Sequence, residues 1–549
     1  MKMKKILLTI GIFAVFFNSC VKDDFLDEDL KNIISADNLY LNYSGFQAGL
    51  NGMYALMLLE KGNTPNNSNY VHDVITMSGT DVACDGLWSG WGTSTGINLY
   101  DGRFTPEDGN LLNTWSWIWR VVNAANTLIN RAEEPSVDWQ GANEADNIKK
   151  KNEVIGEARC VRAWAYRHLV NLWNEVPLVL EESTGTIIDE LRFPATRADI
   201  EAQMEADWLF ASENLPSVAA VPGKVSSAVA NHYLAELYLV WGDNGKAEQY
   251  ANKVITSGDY QLVTERYGVE KDQPGTPFTD MFINGNINRN QGNTEVLWAW
   301  QREYQVNGGE SGNSTERRMK VFAYWMWPID GVSLAVTEGR GGRSLFGFMI
   351  TKWSIDNFGV GDDRGGYYGL RKFYIIEEGD NLGDTDFSVG DTLWMDWSQP
   401  EQGGITRKWP SVTKFDWAPE GNLAIGWTVK ETPYIRLADT YLLLAEALMK
   451  QERYGDAAEA LNVVRRRANA PDISAGDVDI DFILDERARE LLMEEHRRYT
   501  LIRTGKYVER SNAFNARAAG NITDQYKYMP IPQEIIDENP DFPQTIGWR

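Results

Sequence analysis

VANHYLAELYLVWGDNGKAEQYANKVI (Val229–Ile255) and YIRLADTYLLLAEALMKQERYGDAAEALNVVRRRA (Tyr434–Ala468) are the two stretches on which the reading of the fold turns. Set 210 residues apart, they align: Leu234-Ala235-Glu236 meets Leu444-Ala445-Glu446, and Gly245 meets Gly455. Ala247 likewise meets Ala457, Asn252 meets Asn462, and Val254 meets Val464. Apolar residues recur at helical spacing on both sides of a Gly-containing turn, so each copy is predicted as helix, turn, helix. Small alanines stand where paired helices would cross, which is the form of a tetratricopeptide-like hairpin. Two copies are too few for a free-standing solenoid, because each hairpin buries its apolar faces against neighbours.

Further helices extend that framework toward the N-terminus. Residues 115–132 put Ile118, Val122, Ala125 and Ile129 on one face, and residues 154–173 repeat Ala158, Val161, Ala165, Leu169 and Leu172. Trp115, Trp117 and Trp119 fall on the first of these helices and are expected in the core. His168 and His232 sit on helical seams and are expected as core or interhelical hydrogen-bonding groups. Cys160 is also a core residue, and it and Cys84 are expected as thiols. Residues 265–430 read differently, with Gly, Asn, Asp and aromatic residues and little helical periodicity; short strands are predicted at Glu295–Trp300 and Phe373–Glu377. The predicted fold class is mainly α: tetratricopeptide-like hairpins forming a scaffold, with a large irregular lobe of loops and small sheets inserted.

Composition narrows function. The 549 residues are 43% hydrophobic and 24% charged, which excludes a disordered or collagen-like chain. Against 53 Lys and Arg stand 78 Asp and Glu, a net charge of -25 that repels nucleic acid and anionic lipid. Residues 1–20, MKMKKILLTIGIFAVFFNSC, combine Lys2, Lys4 and Lys5 with an apolar run from Ile6 to Phe17. This reads as a secretory signal over residues 1–19, too short to span a bilayer. The cysteine at its end resembles a bacterial lipobox, which implies cleavage before Cys20 and acylation there as the membrane anchor. Cleavage removes three lysines and no acid, taking the charge from -25 to -28. Residues 20–36 are then a lipidated acidic tether. Residues 37–549 form a single domain, with the helical frame at 37–264 and 431–549 and the lobe at 265–430.

Catalytic signatures are missing from the sequence. It holds four histidines, no nucleophile motif, no phosphate loop and no HExxH, so the chain reads as a binder and not an enzyme. No cofactor is expected; Asp380, Asp384 and Asp386 offer oxygen donors for a structural calcium, without EF-hand spacing. The aromatic clusters say more. Trp88 and Trp91 lie in one Gly-rich, non-helical stretch, and Tyr324, Trp325 and Trp327 lie in another. An indole face suits the polarised C–H array of a sugar ring. Asp81, Asn98 and Asp101 lie near the first cluster and can bond hydroxyls. Trp88, Trp91, Asp81, Asn98, Tyr324, Trp325 and Trp327 are therefore the expected ligand set, with packing in the core of the lobe as the alternative for the two aromatic clusters.

Six landmarks in order resemble the SusD/RagB family of nutrient-binding outer-membrane lipoproteins. They are Asp23–Asp27 (DDFLD), Gly156–Val179 (GEARCVRAWAYRHLVNLWNEVPLV), Thr196–Pro216, the two hairpins, Asp485–Arg503 (DERARELLMEEHRRYTLIR) and Tyr528–Phe542 (YMPIPQEIIDENPDF). Glu495 departs from a usual Gly, Thr500 from a usual Asp, and the ending QTIGW from the usual Asn-Pro-Gly-Tyr. The resemblance implies four helical pairs cradling an irregular lobe, and a surface-facing lipoprotein of the outer membrane. It further implies delivery of a captured oligosaccharide to a SusC-like TonB-dependent transporter. A peptide-binding member of the family and a lipid-anchored helical scaffold are the alternatives.

Overall fold

The computed structural model describes residues 35–61, 75–85, 99–183, 193–306, 328–343, 348–401, 408–423, 425 and 428–548. The signal sequence and Cys20 lie outside them. Before the lobe come α1 (Tyr43–Met57), α2 (Gly109–Ala132), α3 (Glu144–Trp173), α4 (Arg197–Asn214), α5 (Ser227–Trp241) and α6 (Asn244–Ile255). After it come α7 (Leu437–Lys450), α8 (Tyr454–Arg467), α9 (Ile480–Glu490), α10 (Arg497–Arg503) and α11 (Tyr507–Phe514). The starts are chemically set: Asn42, Asp108, Asn143, Thr196, Asp243 and Asp479 each accept a first-turn backbone N–H through the side chain. At the other end of α5, Gly242 takes the left-handed conformation at φ 74°.

The two aligned stretches are the hairpins α5–α6 and α7–α8. Both helices of the second begin 210 residues after their counterparts. Each helix from α2 to α8 packs on the next, so α6 meets α7 directly although the whole lobe separates them in sequence. At the centre is α3, whose segment 154–170 is buried except for Arg159. Gly156 gives α4 room, since a Cβ there would stand 3.1 Å from Leu215. Two buried arginines of α3 find partners on neighbouring helices. Arg162 grips Asp207 of α4 through Nε and Nη2, both at 2.8 Å. Arg167 does the same to Glu236 of α5 at 2.9 and 2.8 Å. The second copy repeats the device: Glu446 takes Arg503 of α10 at 2.5 and 2.8 Å. The closing segment docks on the end of α3, where Met529 N–H donates to the Leu172 carbonyl and Trp173 Nε1 donates to that of Pro530.

Four two-stranded antiparallel sheets make up the lobe and its joints: β1 (Ala83–Asp85) with β3 (Phe348–Ile350), β2 (Val296–Trp300) with β8 (Thr432–Arg436), β4 (Leu370–Arg371) with β7 (Ser411–Val412), and β5 (Phe373–Ile375) with β6 (Thr392–Trp394). The strands expected from sequence at Glu295–Trp300 and Phe373–Glu377 are thus β2 and β5. Cys84 and Cys160 are buried and form no disulfide among the described residues. Among the described residues no helix is long and apolar enough to cross a membrane.

What ties lobe to frame is a buried knot of charge around Glu490. Its carboxylate accepts from Arg364 of the lobe (3.1 Å), Arg436 at the end of β8 (2.7 Å) and Arg467 of α8. Glu295 takes Arg436 at 2.6 Å and Arg467 at 2.8 Å; Glu486 takes Arg364 at 2.7 Å and Arg465 at 2.6 Å. Glu494 takes Arg436 at 2.7 Å and Lys414 of the lobe at 2.5 Å. Burial alone would push the Glu490 carboxyl up, but three guanidiniums outweigh it and hold it well below the usual range. Removing one member strands the others in a dry interior. Glu490→Gln is expected to cost about 3–5 kcal/mol of stability in denaturant unfolding; a loss within experimental error would contradict the reading.

Acid should act through the same groups. Glu236, Glu446 and Glu486 are buried, which works against their charge, yet Arg167, Arg503 and Arg364 respectively bring them down to about 2. Their unfolded counterparts titrate near 4.5, so this stabilisation is complete above that pH and is lost as pH falls toward 2. Burial lowers His232 below 6.5, so keeping it neutral begins to cost stability once pH drops under that value. Unfolding free energy measured down the pH scale should therefore decline slightly below 6.5 and steeply below 4.5; a flat profile would count against both assignments.

Candidate functional site

Three of the four histidines gather in the interior. Glu60, His168 and His496 form the one cluster of three potential metal ligands among the described residues. Its hydrogen bonding assigns it another job. Arg167 Nη1 can only donate, so His496 Nδ1, 3.3 Å away, accepts, and the proton sits on Nε2. That Nε2–H then donates to Glu60 Oε1 at 2.7 Å, where Tyr434 Oη also donates at 3.0 Å. A metal would need the nitrogen lone pair that this arrangement replaces with a proton, so the trio does not fit one. His168 Nδ1 pairs with Tyr499 Oη at 3.1 Å, and His232 Nδ1 with Thr440 Oγ1 at 2.9 Å, the interhelical bonds expected of both. Beside them a polar cavity of about 40 Å³ is lined by Glu236, Arg487, Glu495 and Arg503 among others. That volume is room for a few water molecules.

A large open cleft lies in the lobe instead. Its volume is about 490 Å³, with Tyr367, Tyr368 and Trp417 in its walls and Arg371 and Asp416 among its polar groups. Pairing of β4 with β7 sets Arg371 opposite Ser411, so the chain entering β4 and the chain leaving β7 each supply one wall. Gly369 permits the tight return, since a Cβ there would lie 2.4 Å from the Arg364 carbonyl oxygen. Thr413 Oγ1 donates to the Tyr368 carbonyl at 2.5 Å and locks the two walls together. Arg371 is nearly buried and meets Asp416 at 2.9 Å. Burial works against its charge, but the Asp416 carboxylate more than offsets that, and the guanidinium stays protonated. Both walls hang on the charge knot, one through Arg364 and the other through Lys414.

Aromatic rings continue from the cleft across the surface. Tyr368 contacts Tyr367 (5.3 Å between ring centres), Tyr367 stacks on Phe373 (4.6 Å), and Phe373 meets its cross-strand partner Trp394 (4.8 Å). The two end rings are the exposed ones, Tyr368 at 40% and Trp394 at 55%. Below them Tyr374, Ile376, Leu393 and Met395 fill a separate small core.

Of the expected ligand set, Trp88, Trp91, Asn98, Tyr324, Trp325 and Trp327 lie outside the described residues. Asp81 lies within them, and it does not face a ligand. It is fully buried, with Arg497 on both oxygens at 2.8 and 2.7 Å and Arg510 Nε at 2.8 Å. Burial raises its pKa less than the two guanidiniums lower it, so it stays ionised. Asp101 pairs with Arg103 at 2.6 Å on the surface. Asp380 is occupied as well: it takes Arg340 at 2.6 and 2.9 Å and the backbone N–H groups of Ala335 and Glu377, organising a turn. Trp115 and Trp117 are buried and Trp119 is partly so, as expected of a helical core.

Two family profiles match this chain: "SusD family" over residues 381–548 and "Starch-binding associating with outer membrane" over residues 25–239. A SusD-like protein of Bacteroides ovatus is 25% identical, with 95% of this chain and 87% of that protein covered. The starch-binding protein SusD of Bacteroides thetaiotaomicron is 25% identical over 75% of each chain. Among solved structures, a laminarin-binding SusD-like protein superposes with a TM-score of 0.68 at 22% identity, covering 93% of this chain and all of that one.

Proposed function

This chain belongs to the SusD/RagB family, a family of glycan-binding proteins associated with the outer membrane, and from that premise we propose that it captures neutral oligosaccharides at the cell surface and delivers them to a TonB-dependent transporter. The observation that carries this reading is the lobe cleft, with aromatic walls and an Arg371–Asp416 pair. Aromatic faces take the C–H face of a sugar ring. A guanidinium that donates beside a carboxylate that accepts suits neighbouring hydroxyls, each of which can do both. The charge favours a neutral chain: among the described residues Arg371 is the one cation in the lining, against Glu270, Glu338 and Asp416. A uronate or sulfate would meet that excess of acid and a chain of net charge -25. The relatives' names agree in kind, since starch and laminarin are both neutral glucans.

Capture followed by release requires modest affinity, on the order of mM to μM, about -4 to -8 kcal/mol. Losing one aromatic anchor from so small a total is severe. Tyr368→Ala is expected to weaken binding about thirtyfold, equivalent to ~2 kcal/mol, in calorimetry against hits from a glycan array. Its melting temperature should stay that of the parent, because the ring is 40% exposed. Unchanged affinity would move the site to Trp88, Trp91, Asn98, Tyr324, Trp325 and Trp327, which remain part of the proposed ligand set. Trp88→Ala and Trp325→Ala would then abolish binding. The acids around the cleft also suit a basic side chain, and a peptide mixture in the same assay separates that second reading.

Anchoring follows from the N-terminal reading. Acyl chains on Cys20 would hold the protein at the membrane, since no described helix is able to cross one. Cys20→Ala, expressed without the transporter, should leave the washed membrane fraction; persistence there would refute the anchor.

A further inference from the structure

The row of rings running from the cleft to Trp394 is longer than any one sugar needs. A ring seated on the Arg371–Asp416 pair has Tyr368 beside it in the cleft wall. Trp394 stands three ring spacings further along, each between 4.6 and 5.3 Å. The alternation of β5 and β6 accounts for the row's position: Tyr374 and Leu393 point into the small core, so Phe373 and Trp394 stand on the outer face. It does not account for an exposed tryptophan at the far end. Its inner neighbours are only partly buried against one another, while Trp394 offers more than half its surface to water. Exposed aromatic surface continuous with a polar, aromatic-walled cleft is the pattern of a ligand track.

We infer that the ligand is an extended oligosaccharide lying along Tyr368, Tyr367, Phe373 and Trp394 from the Arg371–Asp416 end of the cleft, so that affinity rises with chain length; this rests on the glycan-capture reading above. The two half-buried rings act mainly to hold the outer two in line. Tyr368 serves every chain that enters the cleft, whereas Trp394 serves only chains long enough to reach it.

The test measures affinity for ladders of malto- and laminari-oligosaccharides, from disaccharide to octasaccharide, and for array hits of graded length. The parent protein should bind the longest members at least about tenfold more tightly than the disaccharide. Trp394→Ala should erase that gain and leave disaccharide affinity unchanged. Trp394→Leu keeps apolar bulk on the strand but no flat face, and it should behave like Trp394→Ala while melting as the parent does. Ile375→Ser alters an exposed aliphatic residue on the same outer face and should change nothing. Length-independent binding by the parent, or an undiminished gain in both Trp394 variants, overturns the inference alone. A Trp394 row that serves a protein partner would give that second result. Binding of no glycan at all overturns the capture reading and this inference together.

Discussion

Everything distinctive about this fold depends on one carboxylate, Glu490, being kept ionised where water does not reach. A single buried charge is prohibitively expensive, and a buried pair roughly breaks even. Here the group serves three guanidiniums, from the lobe, from the last strand before α7, and from the end of α8. Through Glu295, Glu486 and Glu494 the network reaches Lys414, Arg465 and the start of β2. The ligands of this knot come from segments far apart in sequence, so the knot can form only when lobe and frame are both in place. Arg364 and Lys414 then set the two walls of the cleft, which makes the surface site a consequence of the interior one.

The helical frame was legible because its signals are local and repeated. Alanine and leucine recur at helical spacing in α5–α6 and α7–α8, and the 210-residue offset survives as the spacing of the helix starts. Even Glu236 and Glu446, matched in the alignment, have matched roles as partners of a buried arginine. The segment Asp485–Arg503 illustrates the opposite case. Nothing in so charged a string indicates burial, since a solvated helix has the same composition; only partners tens to hundreds of residues away reveal it. The two departures noted there meet in the structure: Thr500 Oγ1 donates to Glu495 at 3.1 Å, and Glu495 also takes Arg487 and Arg497.

The candidate site was hardly legible. Tyr368 and Trp417 are nearly fifty residues apart in a region without periodicity, and strand pairs of two residues carry no usable pattern. The one local hint was the Tyr367-Tyr368 doublet directly after Gly365-Gly366. Asp81 misled for a related reason: a lone acid beside glycine and aromatic residues looks the same whether it faces a ligand or an arginine 416 residues away. Sequence and cleft name the same residue class, aromatic rings beside hydrogen-bonding groups, on different residues, and all of the sequence's set except Asp81 lie outside the described residues.

The dependence of the cleft on the knot is open to direct measurement by amide hydrogen exchange on the parent and Glu490→Gln. If the knot positions the lobe, the variant should lose protection selectively across 364–371 and 411–416 while α2, α3 and α4 keep theirs. Equal protection in both proteins across the cleft walls, or a uniform loss that spreads into α2–α4, would contradict the account.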